Sequence, residues 1–321
     1  KEKLDMRTLE CCVCQRPLEG NAPHLGNRAY CQEHWAALSR SRDSVWRASL
    51  ASVSALLVFA VAAALLAGAI KPALSGAWLT AVGVVLALIP AALWLVFFYA
   101  QDRLEPEPKG HVLAVFVFGG LLASSVGIPI VRNLFHVQDA LGRGFWFDLL
   151  ASILIVGFVQ EFLKYAAVRY SVYLSPEFDE RFDGILYGTA AGLGFATLLN
   201  IHYVVESGGV NLALGVITIV VNALAHASFG GVSGYFLGRA KFEEEPVWWL
   251  PAGLTLAAVL NGLFSVARGG LTRSGSALAG QTITPWYGLA LAAVVAGVTL
   301  YAVIGLMRRA NRQTLAGADA P

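Results

Sequence analysis

The sequence has 321 residues, 57% hydrophobic and only 14% charged, with a formal net charge of +2. A soluble domain carries about 25% charged residues, so this composition, with a mean hydropathy of +0.63, excludes a surface that faces water throughout and points to a lipid bilayer as the main partner. The net charge itself is uninformative, but the charges gather in short clusters between long uncharged stretches, and no nucleic-acid partner is expected.

Residues 1–44 are polar and read as a small cytoplasmic domain. All four cysteines lie in it, and Cys11-x-x-Cys14 is followed by Cys31-x-x-His34. Two ligand pairs with two intervening residues each suit a tetrahedral Zn²⁺ site, with one tight turn bending each pair around the metal. Pro17, Gly20, Pro23 and Gly26 between the pairs favour a hairpin or loop over a helix. A head this small has too little core to fold alone, so a structural zinc would supply its folding free energy. Cys12 and His24 are the alternative ligands, and reduced cysteines without metal are the plainer reading. The head resembles one zinc module of a LIM domain, which implies a structural metal and a protein-contact surface without catalysis.

Residues 45–312 read as an all-α polytopic membrane domain. Apolar stretches of about 20 residues, the length that crosses a bilayer, are expected near 46–68, 76–99, 111–132, 146–170, 183–205, 211–237, 248–267 and 285–307. The joints between them are polar, including Lys71-Pro72, Gln101 to Lys109, Asp139 to Arg143 and Arg268 to Ser276. With about eight spans, Lys and Arg cluster on the side that holds the head, Arg103, Arg169, Arg181, Arg239 and Arg308, whereas Lys71, Arg132, Arg143, Arg268 and Arg273 fall on the other. The positive-inside rule then places both termini in the cytoplasm, and the expected location is a prokaryotic cytoplasmic membrane. Residues 313–321 are expected to form a disordered tail.

Ionisable groups at bilayer depth are costly and usually face a polar cavity or one another. The fourth stretch carries Gln160, Glu161 and Lys164, and the lysine can reach either neighbour on one helix face. The sixth carries Asn222 and His226, the fifth Asn200 and His202, and the seventh Asn261. Glu161, Lys164, His226 and Asn261 are expected to converge on one pocket with Asn200 at its edge. The plainer readings are hydrogen-bonding glue between helices, sufficient for Asn222 alone, and a structural Glu–Lys pair. Gly184, Gly188 and Gly192 form a small-residue stripe that permits close packing.

Several segments resemble one known family in order. Asp102 to Pro108 reads DRLEPEP and resembles the DRxEPEP signature of the PrsW family of intramembrane proteases. QEFLK at 160–164 is similar to its EExxK, DGILYGTAAGLGFATLLNIHY at 183–203 to its DGxxYGxxxGxGFAxxENxxY, and HASFGGVSGYFLG at 226–238 to its next motif. NGLF at 261–264 stands where that family has a motif beginning with His. The resemblance runs from about residue 76 to 305 and omits the cysteine head.

The resemblance, which extends to the CAAX prenyl endopeptidases, implies Glu and His side chains on several helices that activate water for peptide hydrolysis, with a catalytic metal left open. It assigns Glu161 as base, His226 and Asn261 as water- or oxyanion-positioning groups, and Lys164 as charge partner, with Gln160 and Asn200 beside them. The sequence departs from the pattern at three positions: Gln160 and Leu199 stand for Glu, and Asn261 for His. One expectation is therefore a peptidase with a degenerate site that cuts a membrane-anchored protein. A second is an inactive relative that binds membrane clients, with the zinc head as docking surface. A transporter ranks last, since no inverted repeat is evident.

Overall fold

The computed structural model describes residues 9–11, 14–18, 20–25, 28–40, 42–67, 75–101, 108–178, 181–209, 214–243, 245–279 and 284–318. Of the DRLEPEP segment, only Pro108 falls among them. A two-stranded antiparallel hairpin, β1 (His24–Leu25) and β2 (Arg28–Ala29), belongs to the head. Among the described residues the regular elements after it are helices: α1 (Gln32–Arg40), α2 (Arg42–Ala67), α3 (Gly76–Gln101), α4 (Lys109–Leu122), α5 (Val137–Ala140), α6 (Phe145–Ala151), α7 (Phe158–Ser171), α8 (Arg181–Glu206), α9 (Leu214–Phe242), α10 (Trp249–Ala279) and α11 (Thr284–Ala318).

Seven helical segments among the described residues are long and apolar enough to cross a membrane: Gly76–Leu95, Lys109–Leu134, Phe145–Ser171, Arg181–Glu206, Leu214–Phe242, Trp249–Leu271 and Pro285–Val303. The first of the eight expected stretches falls on α2, whose apolar part, Leu50–Leu66, is shorter. The second and third segments change pitch partway. Ala123–Gly127 and Pro129–Leu134 continue α4 as π-helix, and Ser152–Gly157 joins α6 to α7 in the same form. Such wide turns rotate the following residues and are frequent at functional sites.

Two helices form the centre. The apolar parts of α8 and α9 are 78% and 83% buried, against 22% to 33% for the other five spans. Their contact is a row of glycines from each side, Gly184, Gly188 and Gly192 against Gly230, Gly234 and Gly238. A Cβ at Gly188 would stand 2.2 Å from the Gly230 carbonyl oxygen, and one at Gly192 equally close to the His226 carbonyl oxygen. Small residues let the backbones touch, and dispersion over the whole contact replaces the hydrophobic drive that lipid does not supply. Gly188→Ala is expected to destabilise the bundle by about 1–3 kcal/mol through overpacking, read as a lowered thermal midpoint of the purified protein in detergent. An unchanged midpoint would mean that the helices separate freely at this point.

Two corrections to the sequence expectations concern the ends of helices, at Arg268 and at the C-terminal tail. Arg268 lies inside α10, not in a loop, because the helix continues through Leu271 to Ala279. Arg132, where the expected third stretch ends, lies in the π-helical end of its span, pairs with Glu206 and is 3.2 Å from His202. The expected disordered tail is helical through Ala318, since α11 extends that far; prolonging an existing helix avoids the cost of nucleation. Lys241 near the end of α9 donates to the carbonyls of Tyr173 (2.7 Å) and Phe178 (2.5 Å), fixing the turn between α7 and α8.

Candidate active site

The polar residues of the spans meet on three neighbouring helices. Gly157 lets α7 approach α10, since a Cβ there would lie 2.3 Å from the Ala258 carbonyl oxygen. That contact brings Gln160 and Glu161 of α7 to Asn261 of α10. Asn261 Nδ2 donates to Glu161 Oε1 at 2.7 Å and to Gln160 Oε1 at 3.0 Å. Lys164, one turn on, donates to Glu161 Oε1 at 2.5 Å and to His226 Nδ1 of α9 at 3.3 Å. Its ammonium also lies 5.8 Å and 5.9 Å from the ring centres of Phe195 and Phe229, within cation–π range.

Glu161 and Lys164 have no exposed side-chain surface. Burying two such charges is costly unless they are paired and hydrogen-bonded, and here each satisfies the other. Glu161 Oε2 is buried and has no hydrogen-bond partner among the described residues. With Lys164 charged, its ammonium donates to Nδ1 of His226, so the ring proton of a neutral imidazole sits on Nε2.

A cavity of about 220 Å³ adjoins this cluster, lined by Val156, Gln160, Leu199, Asn222, Ala225, His226, Asn261, Phe264, Ser265 and Arg268. Its volume admits a few water molecules or a short peptide segment. Gln160, His226 and Asn261 line its wall, while Glu161 and Lys164 lie behind it. Asn200 stands off the wall, donating to the Ile219 carbonyl at 3.1 Å and accepting from Asn222 Nδ2 at 2.7 Å. Arg268 was not among the residues singled out in the sequence, nor was Ser265. Asn261, Ser265 and Arg268 lie at i, i+4 and i+7 on one face of α10, a polar stripe within the span Trp249–Leu271.

Residues 107–304 match the family described as PrsW family intramembrane metalloprotease. This chain belongs to that family. Among its curated relatives are proteins named Protease PrsW from Halalkalibacterium halodurans, 35% identical over 180 residues (56% of this chain, 79% of that protein), and from Bacillus subtilis, 32% identical over 179 residues (55% and 78%). Another, from Geobacillus kaustophilus, is 35% identical over 180 residues (54% and 74%). No solved structure matches the chain. With seven apolar helices and this membership, the chain is an integral membrane protein of the PrsW family.

Gln160, Leu199 and Asn261, the three positions that the sequence reading expects to differ from the family's motifs, line this same cavity. The family's description implies a metal, and the donors here do not fit a catalytic one. Such a site needs about three protein ligands and an open position. Around this cavity the His, Cys and carboxylate side chains are only Glu161 and His226, and no membrane cluster of three or more such groups occurs among the described residues. The ammonium of Lys164 already bridges that carboxylate and that imidazole.

The head presents a different donor set. The ligand atoms of Cys11, Cys14, Cys31 and His34 all lie within 4.8 Å of one another. Cys31 Sγ is 3.1 Å and Cys11 Sγ 3.6 Å from His34 Nδ1. A tight turn, closed by Gln15 N–H to the Cys11 carbonyl, presents the first pair, and the start of α1 presents the second. Cys12 lies outside the described residues. Three sulfurs and one imidazole at this separation fit a metal ion that accepts thiolate and nitrogen.

Proposed function

We propose that this protein is an intramembrane peptidase that hydrolyses a membrane-anchored protein substrate in the cavity between α7, α9 and α10. The observation that carries this reading is the convergence of a buried carboxylate, an ammonium, an imidazole and two amides from three helices on one cavity inside an apolar bundle. Gln160, at the wall, holds the attacking water. Glu161 is the only carboxylate in the cluster, and its Oε2 has a lone pair to take the water's proton. It reaches the cavity by a rotation of the Asn261 amide. The Nε2–H of His226 donates to the substrate carbonyl as negative charge develops on its oxygen. Lys164 holds both groups in register, and Asn200 orients Asn222 at the edge. The water oxygen bonds to the carbonyl carbon, the C–N bond breaks, and the proton passes to the leaving amine.

A specific observation favours a second reading, an inactive relative that binds membrane clients: the side chain at the wall is Gln160, which cannot act as a base, while Glu161 lies behind it. The test is co-expression with reporters whose single apolar helix of about 20 residues links a tag on each side of the membrane. An active peptidase releases a fragment, and Glu161→Ala stops release at unchanged expression. No release by the parent, together with release by Gln160→Glu, would establish the second reading.

In the layout proposed, the shorter apolar helix Leu50–Leu66 of α2 crosses the bilayer as an eighth span, and both termini lie in the cytoplasm, an orientation that the clustering of Lys and Arg favours. The head holds one structural Zn²⁺ through Cys11, Cys14, Cys31 and His34 and offers a protein-contact surface. Elemental analysis of the purified protein is expected to give one zinc per chain, and Cys14→Ser to give far less while the helical content of the membrane domain persists. A parent with no zinc would remove the metal from the head.

A further inference from the structure

We infer that Arg268 is a binding residue for a peptide carboxylate in the cavity, an inference that rests on the peptidase reading above. Of the ten residues that line the cavity, Arg268 alone carries a permanent charge. The others contribute hydrogen-bonding amides (Gln160, Asn222, Asn261), a hydroxyl (Ser265), the imidazole of His226 and apolar surface. The single buried carboxylate of the cluster, Glu161, lies behind the wall and is held by Lys164 and Asn261. The accessible lining is thus cationic and rich in donors, which suits an anion with planar oxygens.

The guanidinium is positioned rather than loose. Arg268 Nη1 donates to Asn222 Oδ1 at 2.7 Å, Asn222 Nδ2 donates to Asn200 Oδ1 at 2.7 Å, and Asn200 Nδ2 donates to the Ile219 carbonyl at 3.1 Å. This relay ties α10 to α9 and α8 and fixes the plane of the fork. A fixed planar fork matches a carboxylate in bidentate geometry and discriminates against a neutral amide of the same shape. Asn222 is one turn from His226 on α9, so a carboxylate on Arg268 lies next to the group proposed to receive the developing oxyanion. Hydrolysis creates such a carboxylate, the new C-terminus of the released segment, in this same space. An acidic substrate side chain next to the cut has the same chemistry.

The test needs binding and no turnover. The full-length protein is placed in nanodiscs of phosphatidylcholine, and binding of dansyl-Leu-Ala-Ala with a free C-terminal acid is compared by fluorescence anisotropy with binding of its C-terminal amide and of dansyl-Leu-Glu-Ala amide. The free acid is expected to bind at least about tenfold more tightly than the amide, the size of one charge-assisted pair. Tighter binding of the internal glutamate peptide instead would identify the side chain as the source of the carboxylate. Arg268→Gln is expected to erase the preference and Arg268→Lys to keep part of it. Should Arg268→Gln fail to fold, Ser265→Glu serves, because it sets a carboxylate one turn away against the guanidinium and is also expected to erase the preference. Equal affinity of all three peptides for the parent, no binding of the acid up to about 1 mM, or a preference that survives both variants would overturn the inference. Cleavage or its absence in the reporter assay is a separate readout, so failure of the peptidase reading is distinguishable from failure of this one.

Discussion

Lys164→Met is expected to destabilise the protein by about 3–5 kcal/mol, the cost of breaking a buried ion pair from one side. The side chains of Lys164 and Glu161 are wholly buried, with 2.5 Å between Nζ and Oε1. Removing the ammonium leaves Glu161 with the Asn261 amide as its remaining hydrogen-bond donor and frees Nδ1 of His226 from its partner. Glu161→Gln alone is expected to cost a comparable amount, since it leaves the buried Lys164 ammonium without a counter-charge, although the new amide oxygen can still accept a hydrogen bond from Asn261. The double variant Lys164→Met/Glu161→Gln should recover most of the loss, because two neutral groups of similar volume need no counter-charge. Thermal unfolding of the four proteins in one detergent gives the cycle. Additive losses, with no recovery in the double variant, would show that the two side chains do not act as a pair. The same cycle separates stability from chemistry: the double variant is stable but lacks the carboxylate, so it should fold and fail to cleave.

The bundle was legible in the sequence because each span is a predominantly apolar stretch of the length a bilayer requires, with only a few polar residues inside it. The pairing of Glu161 with Lys164 was legible too, since residues three apart on a helix share a face. Arg268 was not. The expected seventh stretch, 248–267, stopped one residue short of it at the start of a polar joint, whereas the span runs on to Leu271 and the helix to Ala279, because backbone hydrogen bonds are indifferent to side-chain polarity. The side that faces the cavity was also hidden. Gln160 and Glu161 point about 100° apart around α7, and which of them faces inward is set by the π-helical turn at Ser152–Gly157 and by the contact of Gly157 with Ala258. Both are tertiary features with no local sequence signal. The glycines of α8 and α9 read as a packing stripe, but that they face each other in matched rows, and that Gly192 sets the height of His226, depends on how the two helices are aligned.

His226→Ala is expected to lower cleavage of the reporter by about a hundredfold or more, the range that one positioned acid–base or hydrogen-bonding group supplies. His226 touches both layers of the site: its Nδ1 is 3.3 Å from Lys164 Nζ, and its ring helps to line the cavity. With Nδ1 accepting from the ammonium, Nε2–H is the donor left for the substrate carbonyl. His226→Gln retains an amide donor of similar reach and is expected to recover part of the rate, which a purely structural role for the ring would not predict. Gln160→Glu acts in the opposite direction. It places a carboxylate on the cavity wall, where it can take a proton from water directly rather than through a rotation of Asn261, so release of the fragment should rise. The added charge faces the polar cavity and keeps the Asn261 amide, 3.0 Å from Gln160 Oε1, as a donor, and so the fold is expected to survive. Quantifying fragment release for the parent, His226→Ala, His226→Gln, Gln160→Glu and the combination Gln160→Glu/His226→Ala, all at matched membrane levels, reads the site as a unit. A rise with Gln160→Glu that His226→Ala cancels supports one water held between a carboxylate and an imidazole. Equal release from all five proteins would show that the fragment is made by another protease and that this cavity takes no part in it.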